Sequence, residues 1–270
     1  MRKKVLALVL ATATLAVVVS GCGAGGSDEQ TIVIGASAAP HAEILAVAQP
    51  ILEEKGYKVE IKEFTDYVLP NTALDDGELD ANFFQHLPYL EDFNAEKGTK
   101  IASVADIHFE PFAIYPGQIS DLAELTEGAK IGVPNDTTNE ARALLLLEAQ
   151  GLITLAEDVG LTATVMDIVE NPLGLEIIEI EAAQIARTLP DLAVGCINGN
   201  YALEGGVDLN TALATEATDS LSAETFANII AVQEGTEKDA KIQALVEAVK
   251  SEEVRTFIND TYDGAVVPVF

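Results

Sequence analysis

Basic residues are scarce in this chain. Fifteen Lys and Arg stand against 44 Asp and Glu over 270 residues, a formal net charge of -29. That balance excludes nucleic acid as a partner, because gripping a phosphate backbone needs Lys and Arg in excess. Cysteine is scarcer still: only Cys22 and Cys196 occur, which excludes a disulfide framework and a four-thiolate zinc site. Three histidines, His41, His86 and His108, leave little room for a histidine-rich metal centre. The phosphate-loop, nucleophile-elbow and His-Glu-x-x-His patterns are absent. Carboxylates are so abundant that a pair at any given spacing carries no information. No catalytic residue, metal or cofactor is therefore expected. What remains is ordinary globular composition, with 49% hydrophobic and 22% charged residues, too apolar for a disordered acidic chain.

The N-terminus reads as an export signal. Arg2, Lys3 and Lys4 precede the uncharged apolar run Val5–Val19, and Val19-Ser20-Gly21-Cys22 follows. The run is short for a membrane span, which needs about 20 residues. A cysteine directly after Val-Ser-Gly looks like a bacterial lipobox, so residues 1–21 are expected to be cleaved and Cys22 lipidated. Cleavage removes 21 residues and three positive charges, which leaves 249 residues and takes the net charge from -29 to -32. Residues 22–30, rich in Gly and polar side chains, suit a flexible tether. Cys196 then has no partner and lies in the apolar run Leu192–Ile197, where a buried inert thiol is expected.

Strand and helix patterns alternate through the rest. Apolar strands are expected at Thr31–Gly35, Lys58–Phe64, 80–86, Lys100–Ile107, Phe109–Tyr115, Lys130–Pro134, Thr164–Val169, Leu175–Ile180, Leu192–Ile197 and Asn228–Val232. Helical spacing fills His41–Lys55, Tyr67–Leu74, Leu87–Lys97, Thr137–Gln150, Glu181–Leu189, Lys238–Lys250 and Glu252–Tyr262, with a short capped turn at 120–125. This alternation predicts an α/β fold of parallel sheets covered by helices. The length suggests two sheets, with a crossover near Glu110–Pro116 and a return near Ser220–Asn228. Lobe 1 is then 31–112 with 224–270, and lobe 2 is 113–223. In such sheets a ligand sits beyond the carboxyl ends of the strands, between the lobes.

Five segments fall there. Phe64–Asn71 follows a strand; Asp66 can cap the next helix, and Tyr67 either lines a pocket or packs in the core. In Asp80–Leu90, strand alternation sends one of Phe83 and Phe84 to the core and the other to the cleft, with His86 at the strand end. His108 and Glu110 form either a hinge ion pair or ligand contacts. Thr137 and Glu140 have capping-box spacing, which places Asn139 and Arg142 on one face of a helix N-terminus. The Arg142 guanidinium suits a carboxylate; otherwise it is an exposed arginine paired with Glu140 or Glu148. Asn198 and Asn200 either make a tight turn or offer donors and acceptors to an amino-acid head group.

Together these segments resemble the NlpA/MetQ type of methionine-binding lipoprotein, the substrate-binding component of a methionine ABC importer. The resemblance rests on FTDYVLPN (64–71), GELDANFFQHLPYL (77–90), HFEP (108–111), VPNDTTNEARALLLL (133–147), EIEAAQ (179–184), INGNYA (197–202) and ANIIAV (227–232), in order along the mature chain. It implies two lobes closing on one amino acid, a flytrap fold of the periplasmic-binding-protein kind. Arg142, with Asn139 nearby, would meet the carboxylate, and Asn198 and Asn200 would lie by the head group. Phe64, Tyr67, Phe84, His86 and His108 would wall the thioether, with Asn228 a weaker candidate. The expected partners are methionine, an ABC permease–ATPase complex and a lipid anchor holding a monomer on the extracytoplasmic face of the cell membrane. Phe226 stands where the family often has Tyr, and Gly195-Cys196 is unusual before Asn198. The alternatives are a binder of another small apolar amino acid or short peptide, or a surface hydrolase or adhesin.

Overall fold

The computed structural model describes residues 30–216 and 224–270. The signal segment, Cys22, nearly all of the tether and part of the expected return lie outside the described residues. Strands run β1 (Thr31–Ser37), β2 (Lys58–Phe64), β3 (Ala81–His86), β4 (Ile101–Phe109), β5 (Ala113–Pro116), β6 (Lys130–Pro134), β7 (Thr154–Leu155), β8 (Ile168–Glu170), β9 (Glu176–Ile180), β10 (Val194–Ile197), β11 (Ala214–Thr215), β12 (Asn228–Gln233) and β13 (Val267–Pro268). The α-helices are α1 (Glu43–Glu54), α2 (Leu69–Asp75), α3 (Leu87–Lys97), α4 (Thr137–Ala149), α5 (Ala182–Thr188), α6 (Gly199–Glu204), α7 (Ala240–Val249) and α8 (Glu252–Tyr262). Among the described residues no helix is long and apolar enough to cross a membrane.

Two sheets form. The first has the order β13-β4-β12-β3-β1-β2, and the second β11-β5-β10-β6-β9. Both ends of the chain build the first sheet and the middle builds the second, giving two α/β lobes. The sheets are mixed, where strand-helix alternation predicts parallel ones. β1, β2 and β3 are parallel, but β12 is antiparallel to both β3 and β4. In the second sheet β6, β9 and β10 are parallel, while β5 is antiparallel to β10. The reason is topological: β5 and β12 are the strands that enter from the other lobe, and they need no helical crossover to pair.

Local chemistry sets the elements. β1 lies between β3 and the edge strand β2, and its Ile32, Ile34 and Ala36 are fully buried. They pack with Ile44, Leu45, Ala48 and Leu52 of α1, and with Ile242 and Leu245 of α7. Each fully buried Ile or Leu among them contributes about 1.5–3 kcal/mol. A second core gathers Ile131 and Val133 of β6 with Leu144 and Leu147 of α4, and includes Cys196. Cys196 is a buried free thiol, and burial pushes its pKa up to about 12, as the sequence leads one to expect.

Three elements differ from expectation at identifiable residues. The helix expected from His41 begins at Glu43, after a single wide turn at Ala38–Ala42; Ala39 lies extended (φ -129, ψ 142) ahead of Pro40, as the residue before a proline prefers. Pro111 has no N–H to give a ladder, so the expected strand at Phe109–Tyr115 splits into the end of β4 and β5. In place of a strand at Thr164–Val169, Thr164 and Asp167 make a reciprocal capping box on a short 3-10 turn, and only β8 follows.

Candidate functional site

The strand ends converge on a narrow cleft between the two sheets. Tyr67, Phe84, Gln85, His86, Tyr89 and Asn228 come from the first lobe. Asn139, Arg142, Asn198, Gly199 and Asn200 come from the second, and Glu110 from the crossover.

α4 supplies part of the polar wall. Its N-cap is Asp136, with extended dihedrals (φ -91, ψ 145), and not Thr137, which is already helical. Asp136 Oδ1 accepts from the Asn139 backbone N–H at 3.0 Å and from Asn139 Nδ2 at 2.8 Å. Burial pushes the Asp136 pKa up, and these bonds oppose the shift. The expected Thr137–Glu140 box is not formed, because Glu140 accepts instead from the Val165 N–H at 3.0 Å. Asn139 Oδ1 accepts from Asn198 Nδ2 at 2.8 Å and from His86 Nε2 at 3.2 Å. Both polar ends of the Asn139 amide are thus engaged, and Asn139 ties three segments together.

Arg142 is buried, which rules out the exposed arginine paired with Glu140 or Glu148. Its partner is Glu216, with Nε 2.9 Å from Oε1 and Nη2 2.5 Å from Oε2. Nη2 also donates to the Glu110 carbonyl at 3.2 Å. Phe226 stacks on the guanidinium, with its ring centroid 4.1 Å from Cζ. Two buried polar atoms beside Arg142, Asn198 Oδ1 and Asn200 Nδ2, have no hydrogen-bond partner among the described residues. One is an acceptor and the other a donor, so the cleft offers one free group of each kind.

The other wall is aromatic. Tyr67 lies 5.8 Å from Phe84, 5.7 Å from Tyr89 and 4.7 Å from Tyr201 between ring centroids. Phe83 turns into the core and Phe84 into the cleft, as strand alternation predicts. Hydrogen bonds that join the lobes at this wall include Tyr67 Oη to Asn200 Oδ1 at 2.5 Å, His86 Nε2 to Asn139 Oδ1, and Tyr201 Oη to the Thr65 carbonyl at 3.5 Å. His86 is a neutral imidazole that donates from Nε2 and accepts the Tyr89 N–H at Nδ1. Burial, aided by the Arg142 charge, lowers its pKa to about 3. Burial also raises the Tyr67 hydroxyl pKa.

Beneath the cleft lies a buried cluster. His108 Nε2 donates to Glu110 Oε1 at 2.6 Å, and His41 Nε2 donates to Asn228 Oδ1 at 3.0 Å and lies 3.5 Å from the same Glu110 oxygen. Burial lowers the pKa of His41 to about 4 and that of His108 to about 3, and raises that of Glu110. The three groups lie close enough to share a cation, but the direct His108–Glu110 bond already fills that geometry.

Of the residues expected at the site, Tyr67, Phe84, His86, Asn139, Arg142, Asn198 and Asn200 line the cleft together. Phe64 does not. Its ring supports β1, where a Cβ on Gly35 would stand 2.9 Å from Phe64 Cε2. His108 also stays behind the wall, against Phe83 and His41. Glu110, read from the sequence as either a hinge partner or a ligand contact, both borders the cleft and bonds His108; Tyr89 and Glu216 are not expected from the sequence. Tyr89 had a readable signal, since it lies one helical turn beyond His86; Glu216 had none.

The model of the NlpA lipoprotein family matches residues 32–270. A Vibrio cholerae protein named "probable D-methionine-binding lipoprotein MetQ" is 42% identical over 96% of both chains. The methionine-binding lipoprotein MetQ of Bacillus subtilis is 39% identical, over 93% of this chain and 94% of that one. A nutrient-binding protein of Burkholderia cenocepacia, solved bound to methionine, superposes with a TM-score of 0.84 at 42% identity, over 88% of this chain and all of that one.

Proposed function

The chain belongs to the NlpA lipoprotein family, and from that premise we propose that it captures methionine outside the cytoplasm and delivers it to an ABC importer. It is a binding protein and not an enzyme. The observation that carries the reading is the two-sided cleft: aromatic rings face a buried arginine flanked by an unpaired amide acceptor and an unpaired amide donor.

The head group and the side chain have separate partners in this reading. Arg142 and Asn200 Nδ2 meet the carboxylate. Asn198 Oδ1 and Glu110 meet the ammonium, because burying either charge unpaired is expensive. Tyr67, Phe84, Tyr89 and the His86 ring wall the thioether, whose polarizable sulfur gains roughly 0.3–1.5 kcal/mol from each good aromatic contact. Phe64 and His108 support that wall from behind. In this reading the lobes are residues 31–112 with 224–270, and residues 113–223. Cys22 carries the lipid that anchors a monomer to the extracytoplasmic face of the membrane, and residues 22–30 are its tether.

Native mass spectrometry of freshly purified protein tests the ligand, with a retained mass matching methionine expected. After ligand removal, added methionine is to raise the melting temperature, because it binds only the folded state. A panel of free amino acids that shifts the protein equally, or a null result with methionine, sinks the assignment. Cys22→Ala is to release the protein from membranes.

A further inference from the structure

We infer that Glu216 is a positioning residue that aims Arg142 at the ligand carboxylate; this rests on the methionine-binding reading. Glu216 does not line the cleft. It lines a separate groove behind Arg142, with Leu145, Leu146 and Phe226, so it cannot touch a ligand in the cleft. Its carboxylate grips the guanidinium through Nε and Nη2. The side chains of the pair are 6% and 13% exposed, so solvent screens the contact little.

The other freedoms of the guanidinium are also removed. Phe226 covers one face at 4.1 Å, and Phe112 lies 5.1 Å away. The Glu110 carbonyl accepts a further bond from Nη2. Among the described residues only Nη1 carries no hydrogen bond, and Arg142 borders the cleft. A long side chain ordinarily loses rotamer freedom when it binds. Here that ordering precedes the ligand, and Glu216 is the group that fixes the plane of the fork. Electrostatics alone gives the opposite expectation: removing Glu216 unmasks the Arg142 charge and tightens the hold on an anion.

The test compares L-methionine with L-methioninamide, which lacks the carboxylate charge, by calorimetry on the mature protein and on Glu216→Ala and Glu216→Gln. Hydrogen bonds to charged groups set the scale, so Glu216→Ala is to weaken methionine about tenfold while methioninamide changes little. Glu216→Gln keeps one acceptor oxygen and is to fall between. In parallel, the Arg142 Nε–H signal, protected from solvent exchange in the parent, is to exchange freely in the Ala variant. Unchanged or tighter methionine binding overturns the inference. So does an equal loss for both ligands, which marks a general structural defect, and so does an Nε–H that stays protected. If the Ala variant fails to fold, the Gln variant decides by the same comparison, and a ligand ratio equal to the parent's overturns it. Failure of the parent protein itself to bind methionine refutes the functional reading instead.

Discussion

His86 offers a measurable consequence of burying a neutral imidazole where two lobes meet. It is 5% exposed, and its pKa falls from an ordinary 6.5 to about 3. As pH drops, the unfolded chain takes up this proton first. The histidine's contribution to stability is therefore complete above about pH 6.5 and is lost as pH falls toward 3. Each unit between those values costs about 1.4 kcal/mol, so going from pH 7 to pH 5 removes about 2 kcal/mol. His41 and His108 behave alike, while Glu110 and Asp136, with raised pKa values, act in the opposite sense. A double difference isolates His86. The unfolding free energy of ligand-free protein is measured in urea at both pH values, for the parent and for His86→Gln, which keeps a donor for Asn139. The parent is to lose about 2 kcal/mol more than the variant. A double difference below about 0.5 kcal/mol, or one of opposite sign, refutes the neutral, doubly bonded imidazole.

Other substitutions test the remaining contacts. Arg142→Ala leaves Glu216 buried without its partner, so a loss of about 3–5 kcal/mol in denaturant titrations is expected along with lost binding. Gly199→Ala places a Cβ 2.6 Å from Glu110 Cβ and 2.8 Å from Glu110 Oε2; about 1–3 kcal/mol of destabilisation by calorimetry is expected, with weaker methionine binding because Glu110 must move. Tyr67→Phe removes the bond to Asn200 and is to weaken methionine roughly two- to tenfold without lowering the melting point of the ligand-free protein.

Much of this was legible beforehand, for physical reasons. β1 and α1 announce themselves by apolar spacing, and Gly56 and Gly98 close their helices in left-handed conformations. The cleft residues were found because α/β sheets present ligand groups at strand ends, and Tyr67, His86, Asn139 and Asn198 all follow strands. The sequence pattern places the α4 cap one residue late because Asp136 and Thr137 are both good capping types, and only the backbone dihedrals distinguish them. The antiparallel entry of β12 depends on the path back from the other lobe, which leaves no local pattern. Glu216 was hidden more deeply. It lies 74 residues from Arg142, at the end of a two-residue edge strand, and is one carboxylate among 44 acidic side chains.

The proposed site also implies that a zwitterion, rather than any apolar molecule, favours closure of the cleft. Bonds such as Tyr67–Asn200 and His86–Asn139 join the lobes, and each contributes about 0.5–1.5 kcal/mol net. Against them stand Asn198 Oδ1 and Asn200 Nδ2, buried without partners, at a cost of about 1–3 kcal/mol each. A ligand that brings only apolar surface fills the aromatic side and leaves both penalties standing. One that brings an ammonium donor for Asn198 and a carboxylate acceptor for Asn200 turns both costs into charge-assisted bonds, and that difference in affinity is what moves the equilibrium.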